Sequence, residues 1–188
     1  MELLGDKKYK IIYADPAWKY WSKSAVNNTK WMKIKPLSEH YDTMTTQDIK
    51  QLPVKDIIDD DCACFLWVTD SHLKEWIEVL ESRGFKYKTI AFNWIKKTNK
   101  WNTFKNVAPR TLKSSEICLL WTKGRMTQYK KNNSVEQLVE AERTKHSKKP
   151  DEVRKRIEEL FWEIPRLEMF ARQQTEWRDV RWNEVARF

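Results

Sequence analysis

The chain has 188 residues, with 36 Lys+Arg against 27 Asp+Glu for a formal charge of +9, an excess that suits a polyanion or an acidic membrane surface and is silent about fold. By length it reads as one domain over residues 1–188, large enough to bury about 70% of its extended-chain surface without a disulfide or a metal. Eleven Trp exclude wholesale disorder, and three Gly standing far apart (Gly5, Gly84, Gly124) exclude a Walker phosphate loop and a GxGxxG fingerprint.

The first eight residues are too short of apolar content for a secretory leader. Lys10–Tyr13 reads as a buried strand, and Thr46 to Leu52 as a short helix ended by Pro53. Ala63–Val68 is a second strand; its charge-free run from Cys62 to Val68 falls far short of the ~20 residues that span a bilayer. Ser71 can cap a helix that keeps Leu73, Trp76, Ile77 and Leu80 on one face and stops at Gly84. Thr89–Ile95 and Glu116–Trp121 read as strands. Pro150 suits the first position of a helix with Asp151 and Glu152 in its first turn and a Val153, Ile157, Leu160 stripe. Arg166–Phe170 is the last strand. Strands alternating with helices imply crossovers and a mainly parallel sheet covered on both faces, with ligands at the carboxyl ends of the strands.

Cys62, Cys64 and Cys118 all lie in apolar runs and read as small buried hydrophobes of a reducing compartment. His40, His72 and His146 have no spacing that joins them to these cysteines in a zinc site, so no metal is expected. Together these features describe a soluble, cytoplasmic protein. Three segments resist assignment: Lys19–His40, Lys96–Lys113 and Gly124–Lys149. All are basic, and the first two interleave cations with rings. Tyr20 and Trp21 lie among Lys19 and Lys23, and Trp101 lies among Lys97, Lys100, Lys105 and Arg110. Cations that track phosphates beside rings that stack on bases suit nucleic acid; a solvated lysine surface with inward rings has the same composition.

Asp15-Pro16-Ala17-Trp18 follows the first strand directly. The strand delivers a carboxylate to its edge, Pro16 fixes the chain and offers a carbonyl without an N–H, and Trp18 supplies a flat face. Such a corner can hold the exocyclic amine of a planar base; a strand ending in an Asp-Pro turn is also common.

The ordered set of motifs across the chain decides between these. Asp15-Pro16-Ala17-Trp18, His40-Tyr41-Asp42, Phe65-Leu66-Trp67-Val68, Gly84-Phe85, Trp94-Ile95-Lys96, Glu116, Lys149-Pro150-Asp151-Glu152, Glu168-Met169-Phe170-Ala171-Arg172 and Asn183-Glu184 occur in sequence from Tyr9 to Val185. The chain resembles the adenine-N6 methyltransferases that include the catalytic subunit of the eukaryotic messenger-RNA methyltransferase and many bacterial and phage DNA-modifying relatives. That resemblance implies an α/β, Rossmann-like methyltransferase domain whose catalytic strand precedes the cofactor-binding end, and S-adenosyl-L-methionine as methyl donor. By position it implies that Asp15 and Pro16 hold the target amine and Trp18 stacks on the base. Asp15 also lies near the cofactor's methionine moiety, Lys149 pairs with the cofactor carboxylate, and Arg172, Asn183 and Glu184 line its ribose and adenine. Glu116, Phe85 and Met44 match the pattern and read as structural.

The sequence departs from the family where Ala17 replaces a second proline, where Lys96–Arg110 lacks glycines, and where Trp182 stands in place of a glycine ahead of Asn183. No separate RNA-recognition domain is expected upstream of the catalytic strand. The function this implies is methylation of adenine in DNA by a phage or mobile-element enzyme, as monomer or as homo- or heterodimer. The alternatives are an RNA adenosine methyltransferase or a catalytically weak nucleic-acid platform of the same fold; a small-molecule methyltransferase would leave the basic loops unexplained.

Overall fold

Nine strands and three helices are present in the computed structural model, which describes residues 7–16, 46–68, 72–107, 111–144, 148–171 and 179–181. In chain order they are β1 (Tyr9–Ala14), α1 (Thr46–Gln51), β2 (Ile58–Val68), α2 (Leu73–Ser82), β3 (Lys86–Lys97), β4 (Asn106–Val107), β5 (Leu112–Lys113), β6 (Ser115–Lys123), β7 (Leu138–Glu142), α3 (Asp151–Phe161), β8 (Arg166–Met169) and β9 (Asp179–Arg181). Seven strands form one sheet in the order β7-β3-β6-β2-β1-β8-β9, and β4 and β5 pair as a small separate ribbon. Every strand of the large sheet points the same way except β6, which runs antiparallel between β2 and β3. This is a Rossmann-like sheet, mostly parallel, with one reversed strand.

The central strands read as continuous apolar runs because both of their faces are covered. Along β2, Cys62, Cys64, Leu66 and Val68 face a core closed by Trp76, Val79 and Leu80 of α2. Ala63, Phe65 and Trp67 face the other core, closed by Val153, Ile157 and Phe161 of α3. Full burial of each such aliphatic or aromatic side chain contributes roughly 1.5–3 kcal/mol. The three cysteines are free and buried within these layers, and burial pushes the Cys64 thiol up to about 12. Among the described residues no helix is long and apolar enough to cross a membrane.

Several details differ from the sequence reading. Residue 71 lies outside the described residues, and His72 occupies the N-cap of α2 without a side-chain cap. Leu73 and Ile77 sit at the rim of the α2 stripe, more than a third exposed, while Val79 is fully buried. Pro150 precedes α3 instead of opening it: its ψ of 133° is extended, and its carbonyl accepts from Val153 N–H as an N-cap does. The segment 124–149 contains β7, which extends the sheet beyond β3.

Candidate active site

β1 ends at Ala14, which is flanked in register by Leu66 of β2 and Met169 of β8, so Asp15 leaves the sheet at the carboxyl edge of three parallel strands. Pro16 is buried directly behind it. Lys149, two residues ahead of α3, faces this carboxylate with its Nζ 2.7 Å from Oδ1 and 2.8 Å from Oδ2. The same ammonium lies 3.4 Å from Glu116 Oε2. Glu116 reaches the carboxyl edge because β6 is reversed: the strand begins where its neighbours end, pairing Glu116 with Trp94 and Ile117 with Val68. Lys96 of β3 completes the group, 2.5 Å from Glu116 Oε1.

Two indoles form the floor. Lys149 Nζ sits 5.4 Å above the Trp67 ring and Lys96 Nζ 5.2 Å above Trp94, both within cation–π range. The two rings meet edge to face at 6.3 Å. Trp67 Nε1–H donates to the Tyr13 hydroxyl at 2.7 Å, and burial drives the Tyr13 phenol far above its ordinary range, so it stays neutral. The Arg154 guanidinium stands 5.3 Å over the Tyr13 ring and grips Glu168 of β8 through Nε at 3.1 Å and Nη2 at 2.6 Å. That bidentate pair ties the start of α3 to β8 and so fixes where Lys149 stands.

Lys149 is only 9% exposed, against 24% for Asp15 and 20% for Glu116. Burial alone would raise the Glu116 pKa, but Lys149 and Lys96 outweigh it and hold the carboxyl below its ordinary range. Two carboxylates and two ammonium groups therefore make a neutral cluster with an anion seat at Lys149 directly beside a cation seat at Asp15.

Of the residues singled out in the sequence, the structure brings Asp15, Pro16 and Lys149 to one corner. Trp18, Tyr20, Trp21, Arg110, Arg172, Asn183 and Glu184 lie outside the described residues. Lys100, Trp101 and Lys105 are exposed on the turn and connection between β3 and β4. Lys97 differs from them: its side chain is 12% exposed and its ammonium is 2.8 Å from Glu140 of β7. Sequence reasoning did not place Glu116 at the site. A carboxylate opening an otherwise apolar buried strand was the available signal, but only the reversal of β6 shows which edge it occupies. Lys96 and Trp67 fall within the ordered motifs and Tyr13 stands just ahead of one, but each also reads as an ordinary strand residue.

The MT-A70 family matches residues 9–182 of the chain. The Type II methyltransferase M.MunI of Mycoplasma sp is 34% identical over 176 residues, covering 88% of this chain and 73% of that protein. With the carboxylate corner at the end of β1 and the reversed strand in the sheet, the chain belongs to the MT-A70 family and is an S-adenosylmethionine-dependent adenine-N6 methyltransferase.

Proposed function

We propose that the chain methylates the N6 amine of adenine in DNA, using the Asp15–Pro16 corner for the base and the adjoining Lys149 for the methionine end of the cofactor. The observation that carries this is the buried Lys149 ammonium set against Asp15 at the carboxyl edge of β1. A methionine end carries a carboxylate that the Lys149 ammonium can take in exchange for its present partner, which leaves the Asp15 oxygens for the base amine. The N-terminus of α3, which follows Lys149 closely, adds a favourable dipole for the carboxylate. Similarity to a Type II methyltransferase supports DNA as the polymer, and the exposed Lys100 and Lys105 supply cations for its phosphates. The buried free thiols suit the reducing cytoplasm of a bacterium or a phage-infected cell.

S-adenosylmethionine, when bound, supplies an electrophilic methyl carbon on a sulfonium whose sulfur leaves with the C–S electron pair. The protein's part is to make a poor nucleophile attack in line. The adenine amine is weakly nucleophilic because its lone pair is delocalised into the ring. Asp15 accepts one N6–H and the Pro16 carbonyl accepts the other. These hydrogen bonds strengthen as the nitrogen pyramidalises and gains positive charge, so they stabilise the transition state more than the bound substrate. The spent proton leaves N6 toward Asp15 or water, and the site returns to its neutral pairing with Lys149. Ala17 removes one rigid φ from the corner but none of these groups.

Incubation of the protein with methyl-labelled cofactor and unmethylated DNA, followed by nucleoside mass spectrometry, tests the proposal. N6-methyladenine in DNA is the expected product. Label in RNA adenosine alone would reassign the polymer, and no product with either would favour a binding platform.

A further inference from the structure

We propose that the chain carries a second binding site, at the amino end of the sheet on its α3 face, for an apolar molecule that ends in a carboxylate or phosphate. The site lies at the opposite edge of the strands from the Asp15 corner, and its occupancy does not depend on which polymer is methylated.

The site arises from how this face is covered. β7, the strand beyond β3, begins only at Leu138, level with Asn93, so the amino half of β3 has no strand outside it among the described residues. The link from β6 to β7 crosses here with one short 3-10 turn, Met126–Tyr129, instead of a helix. α3 walls the region with its last residues, Leu160 and Phe161. An apolar sheet face needs a covering layer, and this partial cover leaves a hollow of about 620 Å³, within the range of roughly 300–1,000 Å³ that holds small molecules. Its floor is apolar. A bulge between Ile90 and Phe92 turns Ala91 to the same face as Phe92, and Ala91, Leu120, Val135 and Leu160 are only partly buried there. Beneath them Phe65 and Phe92 stack at 6.0 Å, which keeps the floor rigid.

Charge gives the hollow two unlike ends. Lys88, Arg125 and Lys130 stand on its rim, all exposed, and no aspartate or glutamate lines it. The three cations gather at the amino edge. Lys88 is near the start of β3, Arg125 follows the end of β6, and Lys130 precedes Lys131, whose N–H bonds Leu160 O in the last turn of α3 at 2.8 Å. None of the three side chains has an ion pair or hydrogen bond among the described residues. The negative groups nearby are already engaged. Asp61, which lies against Gly124, accepts from Arg125 N–H at 2.7 Å and from Gln128 Nε2 at 2.8 Å. The closing carbonyls of α3 are taken by Lys131 N–H and by Trp162 N–H. At the inner end Gln137 is uncharged and donates through Nε2 to Ile90 O at 2.6 Å. Like charges brought together without a counter-ion repel, and a bound anion relieves that repulsion. A tail on Ala91 and Leu120 with its anionic head among the three cations matches both ends.

The test is calorimetric titration of the full chain with octanoate, decanoate, dodecanoate and dodecyl phosphate, each below its micelle concentration. One site per chain is expected, with affinity rising roughly 15-fold for every two methylenes buried until the hollow is full. Dodecanoate and dodecyl phosphate share a tail, so the tighter of the two identifies the head. K88Q/R125Q/K130Q should weaken dodecanoate by roughly 3- to 150-fold, the worth of three exposed ion pairs. A91F, which puts a ring where the tail lies, should weaken it by about 15-fold or more, the worth of two displaced methylenes. K100Q/K105Q removes charge elsewhere and should leave the affinity within about 2-fold. Thermal melts check the fold of each variant, and the exposed cations of the triple variant can be neutralised without disturbing the core. Absence of binding, several equal sites per chain, no dependence on tail length, or equal binding of dodecyltrimethylammonium would each overturn the proposal. So would an unchanged affinity in the triple variant.

Discussion

Replacing Lys149 with Met tests the cluster at its centre. The thioether keeps a stem of similar length over the Trp67 ring, so the change removes charge more than packing. The Asp15 and Glu116 oxygens now at 2.7 and 3.4 Å from one nitrogen can be no farther apart than about 6 Å, where two unit charges at an effective dielectric of ~20 repel by about 3 kcal/mol. Lys96 still offsets part of the Glu116 charge, while the attraction to Lys149 is lost outright. The expected destabilisation is about 3 kcal/mol at pH 7, at the low end of the range for breaking a buried pair. For a chain of this size that lowers Tm by about 6–12 °C. Lys149 is one of the cations that hold the Glu116 carboxyl below its ordinary range, so the deficit is full above the ordinary carboxylate range and closes as pH falls below it. K149M/E116Q should regain much of the loss at pH 7. By calorimetry, S-adenosylhomocysteine should bind K149M roughly 10- to 150-fold more weakly, the worth of one hydrogen bond to a charged group. An unchanged Tm together with unchanged affinity would refute both the pairing and the carboxylate seat.

Asp15→Ala should lower kcat by about 10²- to 10³-fold, the scale of a lost transition-state acceptor, with little change in S-adenosylhomocysteine affinity; a large loss of affinity would move the carboxylate's main role to the cofactor. Glu116 has its pKa depressed in the folded protein, so its stabilisation is present above the ordinary carboxylate range and lost as pH falls below it. Acid unfolding of E116Q should therefore be flatter than wild type in that window, as followed by circular dichroism. Gly124→Ala should destabilise by about 3 kcal/mol or more: at φ 65° an added Cβ would meet Asp61 Oδ1 at 2.1 Å and the Asp60 carbonyl at 2.5 Å. Gly84→Ala, at φ 84° in open space, should cost only about 1 kcal/mol; equal Tm losses for the two would refute the steric argument. Charge reversal at Lys100 and Lys105 should weaken DNA binding and reduce the slope of log K against log salt by about 2.

How much of this was legible in the sequence depends on which signal each part relied on. β1 and β2 were visible because strands buried on both faces keep apolar residues at successive positions, β3 and β6 because their central residues do, and β8 because Leu167, Met169 and Phe170 stand out among its charged residues. β7 was not: Val139 and Ala141 alternate with Glu140 and Glu142, but the stretch is short, Val139 alone is fully buried, and it sits within a long basic segment. The ribbon β4–β5 has two residues per strand, too few for any period. At the site, Asp15 was legible from the Asp-Pro corner that ends its strand, and Lys149 from its place in the ordered family motifs just ahead of a helix. Glu116 was not, since its place depends on strand direction, a property of pairing that no local pattern encodes.

The burial of Cys62, Cys64 and Cys118 has a practical consequence. With no thiol at the surface among the described residues and burial keeping all three protonated, the chain is a silent background for maleimide chemistry. A single cysteine introduced at Asn99 would take a dye without competition, and the approach of a duplex to that turn could then be followed in real time on an otherwise native protein.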